Sequence, residues 1–321
     1  MPDYIFKTYI DSGREYYEYT DVTDREQTIK KDFPFPESLM DLLYMDTQEL
    51  EAITRKMDKA LLAFCQSGAK DDLQVVAAGL NELASRHVYF ELLRLDWTER
   101  LKAAERVTPK EYLRLLPHKK ISHIYSNIDT MQRQIISLIA HALDMDGEKK
   151  SVSEKMVAYY NAEGNDTLYT FQFQPQPVNF EVIDRRIFAE VLYPKDIYDL
   201  IDHHIRECVK REVRMRVCKN CLRYFAVTGK ASTEYCDRIC DSKGRTCREI
   251  GAINTWTQRK QGDEVFKEYR REYKKRFARI NAGKLTKSVF YAWSEEARKK
   301  KEDCDSGVIS PEEFSRWLKE S

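Results

Sequence analysis

The sequence predicts a mainly α-helical protein with a minor β component (α+β). The expected order is an N-terminal helical bundle, a short β-containing joint, and a small cysteine-rich ribbon followed by C-terminal helices. Three observations lead there. Between Glu37 and Asp146, apolar residues recur at intervals of three and four. The start of the chain and the stretch after Gly164 instead alternate loosely and are punctuated by proline. Five of the eight cysteines crowd between positions 218 and 247. At 321 residues the chain exceeds the roughly 250–300 residues at which single cores stop growing, so more than one folding unit is expected. We divide it into an acidic, mainly helical segment 1–163, a joint with a connecting helix 164–215, and the ribbon with basic helices 216–321.

Residues 1–20 are rich in Tyr and Ile and suit a strand or two; Pro34 and Pro36 then mark the approach to the helices. Leu50, Ile53, Met57, Leu61 and Phe64 form a core-facing stripe that Gly68 stops. A second helix is predicted from Asp71 to Arg106, with enough apolar residues for burial on more than one face. Thr108-Pro109-Lys110-Glu111 reads as a capping box, since Thr accepts from an orphan amide, Pro suits the first turn and Glu returns the bond. Ile121 to Leu143 completes the bundle. Leu168, Tyr169, Phe171 and Phe173, then Phe180, Val182 and Ile183, predict a hairpin at the joint. A helix from Lys195 to Arg214 leads into the cysteines. Beyond them Phe266, Tyr269, Tyr273, Phe277 and Ile280 form a core stripe. Shorter helices are expected at Val289–Ala297 and Phe314–Leu318.

Composition narrows the function classes. With 42% hydrophobic and 33% charged residues, the chain is neither disordered throughout nor a membrane protein, and no apolar run approaches the roughly 18 residues a bilayer demands. The first residues lack a signal-peptide pattern, so a cytoplasmic location is expected. The net charge of +1 conceals a segregation: residues 206–301 hold 27 Lys and Arg against 12 Asp and Glu, an excess of +15 that leaves −14 for the remainder. Such a segment attracts polyanions or an acidic protein surface.

Cys218-Lys219-Asn220-Cys221 places two thiolates on one edge of a tetrahedron, and a second pair some fifteen residues later would close a structural zinc site. Clustering of this kind in a reducing compartment favours metal over disulfides. Cys236 supplies the third thiolate. Spacing leaves the fourth open between Cys240 and Cys247, the latter just ahead of a helix whose amides stabilise a thiolate. His203 and His204 are expected as one core and one surface residue. Four protein ligands leave no open coordination position, so such a zinc folds the chain and does not catalyse.

Three stretches around these cysteines, Val217-Cys218-Lys219-Asn220-Cys221-Leu222-Arg223-Tyr224-Phe225, Glu234-Tyr235-Cys236-Asp237 and Thr246-Cys247-Arg248-Glu249, resemble the central motif of an uncharacterised bacterial family, a domain of unknown function. Its pattern is CxxC-x2-YF, YCD and TCRE, followed by a helical tail. The resemblance extends over about residues 185–321. It implies Cys218, Cys221, Cys236 and Cys247 as ligands, with Cys240 spare, and it implies no activity. A more distant similarity is to the CGNR zinc fingers of bacterial regulators, which are thought to bind DNA. The Cys-Gly-Asn-Arg signature itself is absent, because Asp241-Ser242-Lys243 follows Cys240.

No phosphate-binding glycine loop, dinucleotide fingerprint or zinc-protease motif occurs. Asp303 to Glu313 superficially resembles a calcium loop but is one residue short, and Ser310-Pro311-Glu312-Glu313 reads as a second capping box. The expected function is therefore non-enzymatic: a zinc-binding protein that contacts DNA or RNA phosphates through Lys267, Arg270, Arg271, Lys274, Lys275 and Arg279. The runner-up is a protein-interaction module whose basic face meets an acidic partner. Third is an enzyme with its site among residues 37–205.

Overall fold

In a computed structural model, residues 4–162, 170–253 and 264–321 are described. The chain is mainly helical with β content and forms two units. The first comprises Met1–Val217 and Arg223–Thr233, the second Cys218–Leu222 and Glu234–Ser321. No helix among the described residues is long and apolar enough to cross a membrane.

In the first unit, β1 (Phe6–Asp11) and β2 (Arg14–Thr20) form a hairpin around Ser12 and Gly13, both at positive φ as a tight two-residue turn requires. β3 (Thr28–Pro34) pairs with β2. β4 (Val178–Ile183) and β5 (Ile187–Leu192) form a hairpin and complete the same sheet, in the order β3-β2-β1-β5-β4, every described pairing antiparallel. The hairpin expected here differs: Phe171 and Phe173 lie outside any strand, and the Phe180–Ile183 stretch pairs forward with β5 instead. Gly164, Leu168 and Tyr169 lie outside the described residues. The alternation of β2 sends Glu15, Tyr17 and Tyr19 to the face that meets the helices, and all three are fully buried.

The helices of this unit are α1 (Glu37–Leu42), α2 (Thr47–Ser67), α3 (Lys70–Arg86), α4 (Tyr89–Ala104), α5 (Pro109–Leu115), α6 (Lys119–Ser122), α7 (Ile124–Leu138), α8 (Val152–Asn161) and α9 (Ile197–Lys210). Gly68 ends α2 at φ 69°. Thr108 and Glu111 form their capping box at the start of α5. A π-helical turn, Ile139–Leu143, extends α7. The stripe Leu50, Ile53, Met57, Leu61 and Phe64 faces the core, as its spacing predicts.

The single helix expected from Asp71 to Arg106 is instead two. The chain breaks at His87, whose backbone is extended (φ −156°, ψ 140°). Its Nε2 donates to the Ser38 carbonyl at 2.8 Å, and its Nδ1 accepts from the Tyr89 amide at 3.2 Å, where α4 begins. One imidazole thus satisfies an orphan helix amide and a buried carbonyl together, which apolar periodicity does not register.

The second unit contains the cysteine segment, helix α10 (247–253 within the described residues), α11 (Glu264–Asn281), α12 (Lys287–Asp305) and α13 (Pro311–Glu320). Phe290, Trp293, Ala297, Phe314 and Leu318 form the core of the last three helices, with Tyr269, Tyr273 and Ile280 packed against it. Phe277, expected in the core stripe, remains half exposed. Ser310 and Glu313 cap α13 reciprocally.

Candidate metal centre

β6 (Met215–Val217) and β7 (Tyr224–Ala226) pair antiparallel, and the turn joining them carries the first two cysteines. The Leu222 amide donates to the Cys218 carbonyl at 2.9 Å, and Leu222 turns back at φ 59°. Lys219 joins this turn to the next segment twice, by its amide to the Glu234 carbonyl (3.1 Å) and by its ammonium to the Glu234 carboxylate (2.5 Å). Cys236 follows two residues later.

The last cysteine enters at the head of α10. Thr246 and Glu249 cap that helix reciprocally: the Thr246 amide donates to the Glu249 carboxylate at 2.7 Å, and the Glu249 amide to the Thr246 hydroxyl at 3.3 Å. Cys247 is thereby held at the first helical position. Its amide donates to the Arg238 carbonyl at 2.9 Å, and Ile239 bridges Thr246, which fixes the loop between the two cysteines. Arg248 pairs with Asp237 at 2.7 Å. Gly251, one turn on, lies against the Tyr235 ring; a Cβ there would stand 2.3 Å from Tyr235 Cδ1. The motif therefore reads as one folded unit: Tyr235 packs on Gly251, Asp237 pairs with Arg248, and Glu249 caps with Thr246.

The sulfur atoms of Cys218, Cys221, Cys236 and Cys247 all lie within 4.8 Å of one another. Four thiolates about 2.3 Å from one tetrahedral ion would stand about 3.8 Å apart. Cys221 Sγ and Cys236 Sγ are separated by 3.7 Å, close to that edge and far beyond the roughly 2.05 Å of a disulfide. Donors already point at the sulfurs: the Cys236 amide reaches Cys218 Sγ at 3.4 Å, and Asn220 Nδ2 reaches Cys247 Sγ at 3.3 Å. Burial opposes ionisation of Cys218, but amide donation from Cys221, Cys236 and Asn220 outweighs it and draws the thiol down to about 7. Burial, reinforced by the neighbouring Cys218 charge, pushes Cys236 up to about 11. Burial likewise raises Cys247. Packing so many thiols together favours a cation that carries their charge.

Cys240, which spacing alone could not separate from Cys247, is exposed and outside the group; its Sγ turns to the Arg245 carbonyl at 3.4 Å. His203 and His204 are both buried on α9, where one surface residue was expected. Neither belongs to a metal-compatible group among the described residues.

All six predicted phosphate contacts lie on α11 and are exposed. At about 100° per residue, Lys267, Arg270, Arg271 and Lys274 share one sector, and Lys275 and Arg279 adjoin it, so the six cover about half the circumference. The opposite side carries Tyr269, Tyr273 and Ile280. Arg271 is paired with Glu268 at 3.6 Å and Lys275 with Glu272 at 3.3 Å. Arg270, Lys274 and Arg279 have no ion pair among the described residues.

Sequence reasoning missed a polar network inside the first unit. Glu15 Oε1 accepts from the Ser38 amide at 2.7 Å, and Glu15 Oε2 lies 3.2 Å from His204 Nε2. The Tyr17 hydroxyl joins Ser38 Oγ (2.7 Å) and His204 Nε2 (2.8 Å), and Ser38 Oγ continues to Tyr89 at 3.2 Å. His204 Nδ1 bonds to the Leu200 carbonyl at 2.8 Å, so that nitrogen carries a proton. Tyr17 and His204 are 187 positions apart, and no local pattern announces such a pair. Every member is buried, so the network fixes packing and offers no surface to a substrate.

Residues 168–318 match the model of a family described as a family of unknown function (DUF6076). That segment is just under half of the chain and includes all four clustered cysteines and α11. No curated protein and no solved structure matches the chain.

Proposed function

We propose that the protein is a zinc-binding protein in which Cys218, Cys221, Cys236 and Cys247 hold one structural Zn²⁺, and that the basic face of α11 contacts nucleic-acid phosphates. The observation that carries this reading is the convergence of four thiols within 4.8 Å, with an amide and a carboxamide already aimed at them. Thiolate-only donor sets suit Zn²⁺, and a fourth thiolate fills the position that a catalytic zinc keeps for water or substrate. The metal then orders the segment that leads into the basic helices. Supporting the second half is the arrangement of cations on α11, continuous and opposite its apolar side. Contacts from these cations to phosphate oxygens carry no base identity, so DNA and RNA are bound with little sequence preference.

The test has two parts. Purified protein should contain one zinc per chain, and anisotropy titrations with labelled duplex DNA and single-stranded RNA should show binding that weakens steeply with salt. Six phosphate contacts correspond to a loss of about a thousandfold between about 50 and 200 mM salt. A metal-free protein that melts identically with and without chelator overturns the zinc reading. Absence of nucleic-acid binding even at low salt overturns the second half and transfers the basic face to an acidic protein partner.

A further inference from the structure

The first unit contains a cleft of about 350 Å³, within the usual range for small-molecule sites. α4 forms one wall, α6 and the start of α7 another, and the residues leading into α9 the third. Its floor is apolar. Leu93 and Tyr198, both half-buried, present its accessible part, and the buried Trp97, Ile124 and Ile197 back them. One end is tied by Asn127, whose Nδ2 donates to the Tyr198 hydroxyl at 2.8 Å.

The rim is positive, with four cations against two carboxylates. Neither carboxylate cancels the three lysines: Asp96 is matched by Arg100, and Asp196, turned to a helix cap, offsets one charge and leaves the rim net positive. Asp96 accepts from Arg100 Nε at 2.7 Å, and Asp196 caps α9 by accepting from the Tyr198 and Asp199 amides at 2.9 and 3.2 Å. Lys119, Lys120 and Lys195 are exposed and have no ion pair among the described residues. Two belong to one wall and the third to the approach to α9, so all three charges border the same cleft.

An apolar floor under an unneutralised cationic rim selects a ligand that has both a flat hydrophobic body and an anionic group. We infer that this cleft binds a small aromatic organic anion, a phosphate or a carboxylate, with its ring on the floor formed by Leu93 and Tyr198 and its anion among Lys119, Lys120 and Lys195. The floor supplies affinity through area removed from water, and the lysines supply orientation and charge selection. The site lies wholly in the first unit and is independent of the cysteine centre and of α11.

Calorimetric titration of the full chain tests it with 1-naphthyl phosphate and 2-naphthoate as probes. At least one should bind saturably at about 100 µM or tighter, and the stronger of the two identifies the anion. 1-Naphthol and inorganic phosphate, each lacking half of the chemistry, should bind at least tenfold more weakly. A Lys119→Glu, Lys120→Glu, Lys195→Glu variant changes only exposed residues; it should melt as the parent does and lose at least tenfold in affinity. An Arg270→Glu, Lys274→Glu variant of α11 should bind the probe as the parent does. Failure of both probes to saturate, unchanged affinity in the lysine variant, or equal weakening by the α11 variant would overturn the inference.

Discussion

Gly251 lies against Tyr235 so closely that a single added methyl would stand 2.3 Å from the ring carbon Cδ1 and 2.6 Å from Cε1. Because Tyr235 precedes Cys236 and Gly251 follows Cys247 by one helical turn, this contact joins the segments that carry two of the clustered thiols. Gly251→Ala must displace the ring and, with it, the backbone of Cys236. Overpacking of this kind costs about 1–3 kcal/mol. The expected outcome is a lower melting temperature of the second unit and weaker zinc retention in a competition with a chromophoric chelator. Adding Tyr235→Ala should recover much of the loss, since the clash is then removed; the double-mutant cycle checks the coupling.

The two candidates for the fourth thiolate separate by burial. Cys247 is held by the Thr246 and Glu249 cap and receives Asn220 Nδ2, whereas Cys240 is exposed on its loop. Cys247→Ser should therefore abolish stoichiometric zinc and unfold the segment 234–253, read as lost metal content and loss of amide-exchange protection there. Cys240→Ser should leave both unchanged within about 0.5 kcal/mol, as a surface substitution does. Chelation of the parent should reproduce the Cys247→Ser result.

Acid should weaken the first unit through two imidazoles. Burial holds His87 at about 4 against the hydrogen bond that it donates to the Ser38 carbonyl, and burial together with the neighbouring His204 holds His203 at about 3. Both are therefore neutral when folded, while the unfolded chain takes up protons below about pH 6.5. Stability is complete above that pH and falls as pH drops from about 6.5 toward 4, by up to about 3 kcal/mol for His87 alone. Neither ring nitrogen of His203 has a hydrogen-bond partner among the described residues. His203→Leu should thus flatten the pH dependence of the melting temperature and raise stability at pH 7 by about 1 kcal/mol. An unaltered slope in this variant would assign the acid sensitivity to other groups.

The parts of the structure that were legible in sequence are those encoded within a few residues. The capping boxes at Thr108 and Ser310, the stop at Gly68 and the thiolate pair of Cys218 and Cys221 all use partners at most four positions apart. The break at His87 was hidden because its cause is Ser38, forty-nine positions away. The burial of both His203 and His204 was hidden for the same reason: His204 is matched by Glu15 and Tyr17 on a strand at the other end of the chain. Spacing alone left Cys240 and Cys247 open; the fold of the intervening loop, closed by the Cys247 amide onto the Arg238 carbonyl, separates them in the way the motif resemblance implied. Periodicity registers which face is apolar, and it is silent on which buried polar group finds which partner.

The cations of α11 should not contribute equally to nucleic-acid binding. Arg270, Lys274 and Arg279 are exposed without an ion pair among the described residues, so each can release a phosphate counterion at no cost in internal pairing. Arg271 and Lys275 must first leave Glu268 and Glu272. Exposed pairs of this type are worth about 0.2–1 kcal/mol, which is subtracted from any phosphate contact the cation then makes. Alanine at Arg270, Lys274 or Arg279 should lower the slope of log affinity against log salt by about 0.9 each on duplex DNA. Alanine at Arg271 or Lys275 should lower it less, and Glu268→Gln with Glu272→Gln should strengthen binding by freeing both cations. Titrations of the five single variants and the double glutamine variant across a salt series decide the point. Equal slopes throughout would show that the helix does not present its charges to the nucleic acid as one face.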